Sequence, residues 1–103
     1  TNNCLLMIHY TVFRDQSFSG KFRDVDVRVG NHRPPEHEKV IGMMEELRYF
    51  YPRIESIERL VEWYSDLETI HPFQDGNGRV GGIVVAILSH QIVSKKGWLA
   101  PLQ

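Results

Sequence analysis

Between Val40 and Val93 the apolar residues recur at helical spacing in three stretches. The last two are joined by a loop that reads His71-Pro72-Phe73-Gln74-Asp75-Gly76-Asn77-Gly78-Arg79. Val40, Met43, Met44 and Leu47 form the first stripe, which opens near Pro35 and runs to about Phe50. Proline fits the first helical turn, where its missing N–H costs little. Pro52 separates this stripe from Ile57, Leu60, Val61, Tyr64 and Leu67, a second helix expected to end near Ile70. From Val80 to Val93 the residues are apolar on several sides, including Ile83, Val84, Ala86, Ile87 and Ile92. That pattern predicts a central buried helix, with Gly97 as its stop. Three helices within the last two thirds of a short chain leave room for little besides α structure.

The first third adds one more helix and the only strand signal. Leu5, Leu6, Ile8 and Val12 share a helical face over Cys4 to Val12. Asp15 to Gly20 is small and polar and reads as a loop. Val25, Val27 and Val29 then alternate with Asp24, Asp26 and Arg28, the period of a half-buried strand. Gly30-Asn31 suits a turn with positive φ, and His32-Arg33 starts a return strand that Pro34-Pro35 cuts off. The expected fold is mostly α, with one small β-hairpin acting as an edge or flap.

Size and charge set the outer limits. The 103 residues fit one domain over 1–103, without repeats or linkers. The net charge of −1 gives no basic field for nucleic acid, so any anion site must be local. A single cysteine, Cys4, excludes an internal disulfide. No apolar run approaches a membrane span and no secretory signal is visible, so no membrane contact is expected, and the lack of disulfides leads us to expect a cytoplasmic protein. The chain lacks a starting Met and stops at Pro101-Leu102-Gln103, the mark of a fragment of a longer protein.

The loop between the second and third stripes carries chemistry. A helix start exposes unpaired N–H groups and a partial positive charge, which phosphate oxygens occupy readily. Gly76 and Gly78 let the backbone turn tightly and let a phosphate approach it. Asn77 adds an amide and tolerates left-handed geometry. Arg79 can grip two phosphate oxygens. Asp75 is a candidate Mg²⁺ ligand, and His71 can accept a proton from an attacking hydroxyl. Phe73 reads as an apolar anchor and Pro72 as a stiffener. Each feature alone is ordinary for a turn; the compact order of base, metal ligand and anion nest points to catalysis.

His71, Phe73, Asp75, Gly76, Asn77, Gly78 and Arg79 match the pattern H-x-F-x-[DE]-G-N-G-R-x-x-R, and on them the chain resembles the Fic family. Gly20-Lys21-Phe22-Arg23 with the valine segment and Pro34-Pro35 is similar to that family's flap region, and Gly97-Trp98-Leu99 with Pro101 to its closing turn. The resemblance implies a mostly helical domain that transfers AMP from ATP to a Ser, Thr or Tyr hydroxyl of a target protein. It further implies His71 as general base, Asp75 as Mg²⁺ ligand, and Gly76, Asn77, Gly78 and Arg79 as the anion hole. The flap, with Arg23, Asp24, Val25, Asp26 and Val27, would hold the target segment by strand addition.

One position departs from the pattern. Its last Arg falls where this chain has Gly82, preceded by Gly81. In such proteins that Arg contacts the γ-phosphate and pairs with an inhibitory glutamate. Gly82 can do neither, so the donor question stays open, and no [ST]-x-x-x-E-[GN] inhibitory pattern occurs in the chain. An inhibitory segment or partner would lie elsewhere. Both glycines are also consistent with close helix packing. The alternatives are transfer of UMP, GMP, phosphocholine or phosphate, and a nucleotide-binding module without turnover. The intact G-N-G-R stretch favours nucleotidyl transfer over the phosphate transfer of the related death-on-curing toxins.

The remaining features read as structural. His32, Glu36, His37 and Glu38 fit no standard metal spacing. His9 and His90 suit packing or surface roles. Tyr49, Phe50, Tyr51, Trp63 and Tyr64 are expected mainly in the core rather than in a base-stacking pocket. Lys21 and Arg23 suit either contact with target or nucleotide, or plain surface solubility. Lys95-Lys96 reads as a solvated helix end.

Overall fold

A computed structural model describes residues 2–95. It contains four helices: α1 (Asn2–Val12), α2 (His37–Phe50), α3 (Ile57–Ile70) and α4 (Asn77–Lys95). The expected closing turn at Gly97-Trp98-Leu99 and Pro101, the stop at Gly97, and Lys96 lie outside the described residues. α4 packs between α1 and α3, and α3 packs in turn against α2. No described helix is long and apolar enough to cross a membrane.

The apolar spacing explains which face of each helix turns inward. Leu5 and His9 are fully buried on α1, while Val40, Met44 and Leu47 are buried on α2. On α3 the buried positions are Leu60, Trp63, Leu67 and Ile70, which recur every three or four residues. Ser56 caps α3, accepting the Arg59 N–H at 3.2 Å. Asn2 ties the start of α1 to α2, donating its amide to the Met44 carbonyl at 2.9 Å. α2 begins at His37, so Pro35 lies outside the helix rather than in its first turn. The N-terminal N–H of His37 is met from a distance, by the Asp26 carboxylate at 2.8 Å.

Three expectations need correction. α4 is not buried all round: Val80, Gly81, Val84 and Ile92 face the core, whereas Ala86 and Ile87 are exposed. With α1 and α3 as its neighbours, α4 has sides that neither covers. The aromatic group also divides. Tyr51 and Trp63 are buried, Tyr64 is half-buried, and Tyr49 and Phe50 stand in solvent.

The third correction is the hairpin. No strand forms among the described residues; the flap carries a single bridge between Val29 and His32, with N···O distances of 3.1 and 2.9 Å. The turn falls at Gly30-Asn31 with Gly30 at φ 58°, as the residues predict. The ladder stops there for two reasons. Pro34 and Pro35 have no N–H to donate. Between the two arms lies the Arg23 guanidinium, which takes the Val25 carbonyl on one arm and the Pro35 carbonyl on the other. Val25 and Val29 remain exposed, so the alternating valines do not define a buried face.

The two glycines in α4 differ sharply. A Cβ on Gly81 would lie 2.9 Å from Tyr64 Cε1 and 3.5 Å from Leu67 Cδ2, so Gly81 lets α3 and α4 approach. A Cβ on Gly82 would meet no atom within 4 Å. Gly82→Ala is therefore expected to stabilise the fold by about 1 kcal/mol through helix propensity. Gly81→Val is expected to cost about 1–3 kcal/mol through overpacking. Urea denaturation midpoints at constant slope check both; equal effects at the two positions would contradict the packing asymmetry.

Candidate catalytic loop

The loop from His71 to Gly76 links the end of α3 to the start of α4, and three contacts brace it. Asn77 is buried, and its side chain turns back on Phe73: Oδ1 accepts the Phe73 N–H at 2.8 Å, and Nδ2 donates to the Phe73 carbonyl at 2.7 Å. This closes the loop and starts α4 at Asn77, three residues before the apolar run begins. Phe73 is buried, and its ring stacks on the His9 imidazole at 4.0 Å and 7°. His9 is fully buried. Its Nδ1 accepts the Gly20 N–H at 3.0 Å, so Nε2 carries the proton and donates to the Asp75 carbonyl at 3.0 Å.

Arg23 supplies the third brace. Its backbone N–H donates to the Pro72 carbonyl at 2.8 Å. Its guanidinium donates to the carbonyls of His71 at 2.7 Å and Ile70 at 3.2 Å, as well as to Val25 and Pro35. A helix C-terminus leaves its last carbonyls unpaired and partly negative, so a cation suits it. His32 adds a further donor, Nε2 to the Thr69 carbonyl at 3.1 Å. The flap therefore caps α3. Burial pushes the Arg23 guanidinium down from its ordinary value while Asp26 works against that shift. The group stays charged, as arginine does in proteins.

His71 itself has φ 53° and ψ 64° at the C-cap of α3, the left-handed conformation that glycine usually fills. It is the only non-glycine residue with positive φ among those described. Its N–H still closes the helix on the Leu67 carbonyl at 2.9 Å. The imidazole is half-buried, and desolvation lowers its pKa below the ordinary 6.5; Glu68 opposes this, while Arg23 and His32 add to it. The neutral ring, the form able to take a proton, is thereby favoured.

The far end of the loop is open. Gly76 has φ 82°, and a Cβ there would lie 2.2 Å from Phe13 Cε2, so only glycine fits under that ring. The Gly76 N–H is taken by Asp75 Oδ1 at 2.7 Å. Val80 N–H makes the first helical bond, to the Gly76 carbonyl at 2.9 Å. The N–H groups of Asn77, Gly78 and Arg79 precede it and have no acceptor within the helix. Arg79 is exposed, with its guanidinium carbon 5.6 Å from the centre of the Phe13 ring. Asp75 is exposed and is the lone carboxylate of the loop; among the described residues no group of three His, Cys, Asp or Glu side chains is placed to hold a metal ion. A single carboxylate fits Mg²⁺, which keeps water and phosphate ligands, better than a metal caged by protein alone.

The structure thus brings His71, Asp75, Gly76, Asn77, Gly78 and Arg79 onto one braced turn. The Asn77 side chain serves the loop, leaving its backbone N–H at the helix start. The flap residues fall into two groups. Asp24, Val25 and Asp26 are exposed and Val27 is half-buried, whereas Arg23 is 4% exposed and its side chain is engaged with carbonyls. Asp26 also accepts the His37 backbone N–H and, at 2.7 Å, its imidazole Nδ1–H, which hold its carboxyl below the usual range. Sequence reading missed His9 and Phe13 as supports of the loop. His9 lies one helical turn beyond Leu5, which signals burial but not the loop it meets.

The family model described as the Fic/DOC family matches residues 1–89, which takes in all four helices up to the middle of α4.

The left-handed backbone at position 71 has a measurable cost, since a side chain there costs roughly 1–2 kcal/mol. Replacing His71 with Gly is expected to give a protein about 1 kcal/mol more stable than replacing it with Ala. Thermal unfolding of the two variants checks this. Equal stability would show that the positive φ is not maintained in solution.

Proposed function

The chain belongs to the Fic/DOC family, which points to AMP transfer or a related nucleotide transfer, and from that premise we propose that it moves AMP from ATP to a hydroxyl of a target protein. The observation that carries this reading is the loop itself: a half-buried histidine shifted toward its neutral form opens a turn that ends in the unpaired N–H groups of a helix start. In the reaction, the His71 imidazole takes the proton of a Ser, Thr or Tyr hydroxyl. The hydroxyl oxygen bonds to the α-phosphorus, and the bond from that phosphorus to the bridging oxygen breaks, releasing pyrophosphate. The N–H groups of Asn77, Gly78 and Arg79 and the Arg79 guanidinium hold phosphate oxygens and offset the charge that builds on them. Asp75 would hold Mg²⁺, which when bound supplies positive charge to the phosphates.

The target segment is read as lying along the flap. Among the described residues, the only backbone group from Asp24 to Arg28 in a hydrogen bond is the Val25 carbonyl, held by Arg23 at 2.9 Å. Free backbone polar groups along this segment suit addition of a peptide strand. Asp24, Val25, Asp26 and Val27 are the residues assigned to this contact.

A second reading concerns the donor. At Gly82, where a second motif arginine is expected, there is open space and no side chain. Losing one charge-assisted contact to a phosphate costs about 1.5–3 kcal/mol, roughly one to two decades in affinity. A donor without a γ-phosphate loses less by that change than ATP does, whereas UTP and GTP, which keep a γ-phosphate, lose as much.

Label transfer with α-labelled and γ-labelled ATP and Mg²⁺, into lysate proteins, tests the main reading. The α-label alone is expected to appear on protein and to vanish with His71→Ala. Transfer of γ-label, or survival of transfer in His71→Ala, would overturn it. The pH profile of kcat/KM for ATP follows from the His71 shift. Activity should rise with pH as the ring loses its proton, with the midpoint below about 6.5. A midpoint above that value would contradict the assignment of His71 as a desolvated base.

A further inference from the structure

We infer that Arg23 is a positioning residue for the transfer reaction, locking the His71 base and the target-holding flap to each other through backbone carbonyls. The inference rests on the proposed reading of His71 and the flap. It changes the role of Arg23 from a residue that touches the target to one that touches neither substrate.

The geometry is specific. On one side the Arg23 guanidinium holds two consecutive carbonyls, those of Ile70 and His71, at 3.2 and 2.7 Å, while its backbone N–H holds that of Pro72 at 2.8 Å. On the other side it holds Val25 and Pro35, at 2.9 and 2.6 Å, where the two arms of the flap loop leave the bridge. One buried side chain therefore sets the spacing between the residue that takes the proton and the segment assigned to present the hydroxyl. His71 needs such a support. It sits past the last turn of α3 in a left-handed conformation, and its carbonyl is held by Arg23 Nε. A planar guanidinium spans these acceptors from one centre; an ammonium on a single nitrogen cannot. The charged groups that act on the His71 ring are Glu68 on α3, Arg23, and His32 on the flap turn. A change at Arg23 therefore reaches the ring through its charge as well as through geometry.

The test uses Arg23→Lys, which keeps the charge and loses the fork, with Ser56→Ala as a comparison that removes the cap at the other end of α3 without touching the loop or the flap. The expected result is a folded Arg23→Lys protein whose KM for ATP changes by less than about threefold, and whose kcat falls about tenfold to a hundredfold, as misplacement by an ångström does. Ser56→Ala lowers the melting temperature but keeps kcat within about threefold. A drop in melting temperature with kcat unchanged would overturn the inference, reducing Arg23 to a helix cap. An activity-free readout separates this from failure of the transfer reading. Three-bond NMR couplings report one His71 side-chain rotamer in the parent protein and averaging in Arg23→Lys. If the parent protein transfers no label, the transfer reading falls, and the couplings alone judge the clamp: averaging supports it and unchanged couplings overturn it. Should Arg23→Lys not fold, the parent protein decides. A resolved, exchange-protected Arg23 Nε–H signal is then expected, and one that averages with the exposed arginines overturns the inference.

Discussion

The end of α3 faces a general problem of helices: its last carbonyls point onward with no helical partner and carry the negative end of the dipole. Here the flap solves it with Arg23 and His32, and the solution shapes the rest of the site. Because the guanidinium sits between the flap arms, those arms cannot zip into a ladder. Because it holds the His71 carbonyl, the chain can leave the helix in a left-handed turn without a glycine. That turn points the loop toward α4, where Asn77 and His9 complete the bracing. A buried cation with carbonyls as its main partners is costly to desolvate, so the arrangement holds only while all of its donors are used.

Each end of the loop carries its own charge logic. At the α3 end, carbonyls are covered by cationic and imidazole donors. At the α4 end, N–H groups are left uncovered beside an exposed arginine. In a chain with a net charge of −1, the proposed phosphate site therefore rests on this one helix start rather than on any overall positive field. Burial also desolvates the His71 ring, which favours its neutral form at the other end of the same loop.

How far the sequence made this legible follows from particular residues. The stripe of α2 was plain because its buried positions recur at three and four residues and tertiary packing only had to agree, whereas in α3 Val61, expected in the stripe, is exposed and Trp63 takes the buried place beside Leu60 and Leu67. The start of α4 was not, since Asn77 and Gly78 are poor helix formers and the helix begins there through a side-chain bond to Phe73. The valine alternation suggested a hairpin because a period of two ignores what lies beside the chain. The competing acceptor pattern comes from one arginine whose partner His71 is 48 residues away. The pair Gly81-Gly82 looks uniform as sequence, yet one glycine admits Tyr64 and the other faces open space. The loop residues themselves were readable as chemistry because backbone-binding glycines, an acid, a base and a guanidinium stand in order along a short stretch.

The central claim is that phosphates sit on the open start of α4. Amide chemical shifts of the free protein titrated with ATP and Mg²⁺ test it most directly, because they report binding without requiring turnover. The expected result is that the N–H signals of Asn77, Gly78 and Arg79 move together and saturate, with smaller changes at His71. If those signals stay fixed while others move, for example those lining the groove of about 300 Å³ between α2 and α3 at Leu47, Tyr51 and Asp66, the nucleotide binds elsewhere and the claim is contradicted.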